Sequence, residues 1–222
     1  MKRHFSQYGY FLAACTLAGY VIAAAAGCRT VLTTAVYLVK GTNVDAEYKG
    51  LKEKKVVVVC RPLASLTYRD SHVARDLARE ISILLRDNVP KINVVDQSKV
   101  TEWLDENDWT DFTDVGEALE ANTVVGIDLL SFSIYQGQTL YQGKANTAVK
   151  VYDLTDGENK VVFEKELPQL LYPPNTGVET LSRPEPEFRR KFVHILADQI
   201  GRHFYPHDRH ADFAIDATAL HD

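Results

Sequence analysis

The chain has no G-x-x-x-x-G-K-[ST] loop, no G-x-G-x-x-G turn, no G-x-S-x-G elbow and no H-E-x-x-H pair. The commonest sequence routes to phosphate binding, acyl transfer and zinc-assisted hydrolysis are therefore missing, which narrows the arguments for an enzyme without excluding one. Cysteine is scarce, three in 222 residues, so this is no disulfide scaffold. There is also no excess of positive charge: the net charge is −5 and the sequence pI about 5.8. A general nucleic-acid binder, which needs a cationic patch, is not expected. What is present is 45% hydrophobic and 25% charged residues, enough for one folded domain with a real core.

The scarcest thing at the amino end is acid. The first 27 residues hold Lys2 and Arg3 and no Asp or Glu, and from Tyr10 to Ala26 the chain is uncharged and rich in Ala, Leu, Val and Ile. A basic head followed by an apolar run is the layout of a signal peptide, assigned here to residues 1–27. It closes on Ala25-Ala26-Gly27-Cys28, a partial lipobox, with Ala25 where Leu is usual. Leu12-Ala13-Ala14-Cys15 fits that pattern letter by letter but leaves almost no hydrophobic region ahead of the cut. Cys28 is the preferred lipidation site; the alternatives are an uncleaved anchor, since Tyr10 to Cys28 approaches the roughly 20 apolar residues that span a bilayer, and an ordinary secretory signal. Either way the chain beyond about residue 40 faces away from the cytoplasm, because positive residues hold the extreme amino end inside. The expectation is a lipid-anchored envelope protein facing the periplasm, on the outer membrane rather than the inner. With Cys28 acylated and Cys15 removed, only Cys60 remains, at the end of Val56-Val57-Val58-Val59-Cys60, and it reads as a buried inert thiol.

Residues 28–53 read as a tether, and 54–205 as a single α/β (α+β) domain: a mixed sheet of about five strands with an antiparallel meander, packed by three to four helices. Val56 to Cys60 carries the all-apolar pattern of a strand buried on both faces. Asp70 or Ser71 caps a helix with Val73, Leu77, Ile81 and Leu84 at helical spacing, and Asn88-Val89-Pro90 ends it. Ile92 to Val95 is a short strand; Ser98 caps a second helix carrying Val100, Trp103 and Leu104, and Asp114 with Glu117 opens a third, through Asn122. The period then changes to two. Val124 to Tyr135 places Leu130, Phe132 and Ile134 on one face and Ser131, Ser133 and Tyr135 on the other. Leu140 to Leu154 alternates Ala145, Thr147, Val149 and Val151 with Lys144, Asn146, Lys150 and Tyr152, and Lys160 to Leu167 is the last strand. Residues 168–186 hold five of the eight prolines, Pro168, Pro173, Pro174, Pro184 and Pro186, and read as an extended arm rather than helix or strand. A closing helix from Pro184 or Glu185 carries Phe188, Phe192, Ile195, Leu196 and Ile200, and 206–222 is a frayed tail containing His207 and His210.

Strand, helix, strand, two helices, three-stranded meander and closing helix, behind a lipobox-like cysteine, resembles the α/β domain of bacterial envelope lipoproteins related to CsgG and LpoB and to the amino-terminal domain of TolB. The wording Asn43-Val44-Asp45-Ala46-Glu47-Tyr48-Lys49-Gly50-Leu51 and Val56 to Pro62 is similar to lipoproteins of planctomycete-type bacteria. The resemblance implies non-enzymatic binding, as an adaptor or assembly subunit, with no functional residue carried over besides Cys28. A pore-forming role is not implied, because the amphipathic membrane-spanning hairpins of the channel formers are missing.

His203, His207 and His210 have ligand-like spacing, but Pro206 breaks the helix that would align them, so no metal site is assigned. The stretch Asp105 to Asp111 lacks the EF-hand pattern and reads as a solvated loop with Trp109 folded onto the domain. Asp128, in an apolar strand with no evident partner, reads as a sheet-edge or solvent-face carboxylate. No cofactor is expected and no catalytic residue is assigned. The partner surface is expected along Tyr135, Tyr141 and Tyr152 with Leu170, Leu171 and Tyr172 of the arm. The competing possibility is that the arm wraps its own domain. Partners are the membrane through the lipid, an envelope protein, and self-association is left open. The alternative function is an extracytoplasmic small-molecule-binding protein or hydrolase with its site at the carboxyl ends of the first two strands, near Arg61 and Asp96.

Overall fold

The structure, a computed structural model, describes residues 43–63 and 71–208. Cys28, the segment 10–28, Asp70 and His210 lie outside the described residues. No helix among those described is long and apolar enough to cross a membrane.

The sheet is mixed, and its strand order follows from the hydrophobic patterns. β2 (Lys55–Pro62) is flanked on both sides by parallel neighbours, β3 (Asn93–Val94) and β4 (Thr123–Gln136). Its valines then face two different cores. Val56, Val58 and Cys60 pack into the larger cluster, while Val57 and Val59 pack into the smaller one on the opposite face. A strand covered on both sides leaves no position for a polar residue, hence the unbroken apolar run. β4 then pairs antiparallel with β5 (Leu140–Asp153), and β5 with β6 (Lys160–Glu166). Gly137 and Gly157, both at positive φ, serve the two turns.

Helices α1 (Ser71–Asn88) and α4 (Glu185–Gly201) cover the larger core. Val73, Leu77 and Ile81 of α1 are fully buried, and Leu85 completes the stripe, not Leu84, which is half-buried: one more full turn places residue 85 beneath 81. The α4 stripe of Phe188, Phe192, Ile195, Leu196 and Ile200 is buried throughout, each side chain contributing about 1.5–3 kcal/mol. Two shorter helices, α2 (Gln97–Glu106) and α3 (Phe112–Ala118), cover the smaller core through Val100, Phe112 and Val115.

The caps differ from the sequence expectation by two or three residues. Asp96, not Ser98, caps α2, its carboxylate accepting from the Ser98 backbone at 2.8 Å. Asp111 caps α3 in a capping box whose reciprocal member is Asp114, and that helix ends at Ala118 rather than Asn122. In both cases an Asp two or three residues earlier reaches the orphan N–H groups first.

Four further corrections concern the antiparallel half and the flanks. In β4 the register skips Leu130, so Leu129 belongs to the buried face ahead of Phe132 and Ile134, and Leu130 is only half-buried. The arm is not extended coil: β7 (Leu170–Tyr172) and β8 (Val178–Glu179) both pair antiparallel with β5, filling the edge that β6 leaves free. The segment assigned to the tether also reaches into the fold, since the compact unit runs from Val44, and Leu51 is fully buried. A two-residue strand β1 (Asn43–Val44) pairs with β9 (His207–Asp208), so the tail is ordered at least to Asp208.

Candidate functional site

Two surfaces carry polar groups that the fold alone does not require. The first is a crevice of about 840 Å³ between α1 and α2, at the carboxyl end of β3. Arg75, Arg79 and Arg86 reach it from one face of α1, and Glu102 and Asp105 from α2. Its charges are largely satisfied from within: Arg75 pairs with Asp105 across the crevice, and Arg79 with Asp76. At its floor the Gln97 amide donates to the Val58 carbonyl and to the Ser82 hydroxyl, both at 2.9 Å. Asp96 lines it, its carboxyl held below the usual carboxylate range by the Ser98 backbone and hydroxyl hydrogen bonds.

Arg61 does not join Asp96 there. It projects from the other face of β2, where Nε donates to Asp128 Oδ1 at 2.8 Å, Nη1 donates to the Thr110 carbonyl at 3.1 Å, and the guanidinium sits 4.6 Å from the centre of the Phe112 ring. Parallel pairing places Arg61 directly opposite Asp128, which therefore lies on an inner strand with a cationic partner rather than at a sheet edge. Cys60, beside it, is buried, and burial followed by the Asp128 charge pushes its thiol far up.

The second surface is the outer face of the antiparallel half together with the edge of β6. Helices α2 and α3 stop short of it. Cross-strand ion pairs mark it: Arg61 with Asp128, then Lys150 with Glu164 at 2.9 Å, a hydrogen bond that raises the Lys150 pKa. Beyond these, Ser133 is exposed and Leu171 is 37% exposed. On β6, Val161 and Val162 stand 43% and 36% exposed.

The six residues expected to form one partner surface are divided by the fold. Tyr141 is buried and stacks on Phe188 at 5.1 Å; Tyr172 is 2% exposed and packs against the same ring. Both are core, and the arm to this extent wraps its own domain. Tyr152 is half-buried against Phe112 on the opposite face, and Leu170 is half-buried against the larger core. Tyr135 is exposed but occupied: its hydroxyl donates to Glu185 at 2.6 Å, which pushes its pKa up to about 12 and draws Glu185 down. Leu171 alone of the arm trio points outward.

Trp109 folds back onto the domain, 5.7 Å from Phe112. His203 is turned to Glu47 at 3.3 Å, and burial lowers its pKa. Sequence reasoning missed the crevice arginines, although Arg75, Arg79 and Arg86 have the spacing of one helical face. It also missed the β6 edge, signalled by two adjacent valines in a strand bordered by charge and followed by Pro168.

No family model matches the chain, and neither does any curated protein. Solved structures similar to it include the PelC dodecamer from Paraburkholderia phytofirmans, at 10% identity and TM-score 0.43, covering 73% of this chain and 95% of that one. Lipoprotein GNA1162 from Neisseria meningitidis is similar over 66% of this chain and 96% of its own, at 11% identity and TM-score 0.41. A minor lipoprotein from Acinetobacter baumannii is similar over 68% and 91%, at 15% identity and TM-score 0.32. The solved structures it is similar to thus include bacterial lipoproteins, with no residue-level correspondence at such identities.

Proposed function

We propose that this is a lipid-anchored envelope protein of the kind exemplified by the CsgG and LpoB group, acting without catalysis as an adaptor or assembly subunit. The single observation carrying this is the one-sided antiparallel half: β4, β5 and β6 bury one face under α4 and leave the other open, ending in a strand with exposed valines. Such surfaces suit protein contact through a flat polar face or strand addition. The Cys28 motif supports the anchor. Two arms test the reading. Cys28→Ala removes the acylation site, and the protein is expected to leave the membrane fraction; unchanged fractionation contradicts the anchor. Cross-linking in intact cells followed by mass spectrometry is expected to recover an envelope protein on the outer face, and recovery of none contradicts the adaptor.

The alternative, an extracytoplasmic small-molecule-binding protein or hydrolase, draws support from the crevice at the strand ends. There, anionic small molecules would meet Arg79 and Arg86. A thermal-shift screen of such compounds, with Arg86→Ala as control, decides it: a shift lost in the variant favours a ligand site.

A further inference from the structure

We propose that the crevice between α1 and α2 binds a free peptide of three or four residues, lying along the helices with its terminal carboxylate on Arg86 and its terminal ammonium on Glu102. The inference rests on the alternative reading, in which this crevice holds a small molecule, and names the class of ligand; the adaptor reading is independent of it. Two cross-bridges fix the direction of the walls. Arg75 meets Asp105, and the Gln97 amide meets Ser82. Residue numbers therefore rise along α1 as they fall along α2, and the two helices run antiparallel and nearly in step. Glu102, three residues before Asp105, stands about level with Arg79, and Arg86 lies about 11 Å further along at about 1.5 Å per residue.

The charges left over select the occupant. The lining holds three guanidinium groups against four carboxylates, so an anionic group entering there needs a cationic one on the same molecule. Arg75 with Asp105, and Arg79 with Asp76, offset each other, and the Asp96 carboxylate is taken up by the Ser98 backbone and hydroxyl. Arg86 and Glu102 remain, both exposed and neither in an ion pair among the described residues. One cation and one anion at that separation match a zwitterion whose charges are equally far apart. A free amino acid holds its charges less than about 4 Å apart and an extended chain adds about 3.5 Å per residue, so three or four residues span the gap.

Between the two charges the walls suit a peptide backbone. Gln97 donates its amide N–H groups to Val58 and Ser82 in the floor, so its carbonyl oxygen is what it offers to a peptide N–H. The Thr101 hydroxyl, also in the lining, can donate to a peptide carbonyl. Ile83, 40% exposed, stands midway between Arg79 and Arg86 on the same helical face and gives a central apolar side chain something to cover.

The test is isothermal titration of the full-length protein in detergent with tri-alanine and tetra-alanine, their amino-acetylated and carboxyl-amidated forms, free alanine and succinate. The unblocked peptides are expected to bind, each blocked form about fivefold more weakly, and alanine not at all. Arg86→Gln is expected to weaken the unblocked peptide and erase its advantage over the amide, while keeping its advantage over the acetylated form. Glu102→Gln is expected to do the reverse. Both side chains are exposed, so melting is expected to stay unchanged in either variant. No binding of the unblocked peptides, or blocked forms that bind equally well, overturns the proposal, as does a blocking effect that survives in the matching variant. Succinate binding that Arg86→Gln abolishes, without peptide binding, overturns the peptide and leaves the small-molecule reading standing.

Discussion

In the parallel half of the sheet, β3, β2 and the first part of β4, side chains on both faces are buried: Val57 and Val59 under α2 and α3, Val56 and Val58 under α1. In the antiparallel half, the rest of β4 with β5 and β6, Ala145, Val149 and Val151 are buried while Lys144, Asn146 and Lys150 on the other face are not. The same backbone geometry supports both. The difference is whether a helix is available for the second face, and the proposed contact falls on the half that has none.

The sharpest way to break that division is one substitution made in both halves. Val59→Lys places an unpaired charge in the smaller core and is expected to cost more than about 4 kcal/mol, enough to unfold the domain. Ser133→Lys on the open face is expected to stay within about 0.5 kcal/mol. Urea titration of the two variants compares them, and similar losses would erase the distinction.

The arm gives a second contrast within three residues. Tyr172→Ala removes a core ring and is expected to cost about 3–4 kcal/mol, while Leu171→Ala costs less than about 1 kcal/mol. Thermal melting separates them. A Tyr172→Ala variant that melts like the parent would mean that the arm is not part of the core.

The joint between the halves is Lys54 to Asp153 at 2.5 Å, linking the residue before β2 to the end of β5. Burial opposes the Asp153 charge, but hydrogen bonds from Lys54 and Thr155 outweigh it and hold its pKa at about 2. A carboxylate held below its unfolded value near 4 stabilises the fold at every pH above that value, and the contribution fades as pH falls through about 2. Asp153→Asn is therefore expected to cost about 1–2 kcal/mol at pH 7 and almost nothing at pH 2, read from melts at both. A penalty independent of pH would contradict the ion pair. On the open face the effect is again small. Asp128→Asn weakens a part-exposed pair with Arg61 and is expected to cost less than about 1 kcal/mol.

Much of this division is already legible along the chain. The valine run of β2, the strict alternation of β5 and the five apolar positions of α4 each state their own burial, because pattern and period are local. What the pattern misses is non-local or one residue wide. Leu130 looks like a core position until a bulge shifts the face, and a bulge has no signature in the alternation around it. β7 and β8 are strands only because β5 extends past the end of β6 and leaves an edge open for them. Arg61 and Asp128 are 67 residues apart and meet through a parallel register that composition cannot supply. Of the six aromatic and aliphatic positions expected at a partner surface, the fold draws Tyr141 and Tyr172 inside. Large apolar side chains near a prolines-and-loops segment serve a core as readily as an interface.

The assignment of contact to the open half is tested most directly by photo-cross-linking in living cells. A photoreactive residue is placed singly at Ser133, Leu171 or Val161 on that half, and at Arg79 or Glu102 in the crevice. Adducts to another chain at the first three positions, with none from the crevice, are the predicted result. Adducts confined to the crevice positions would contradict it.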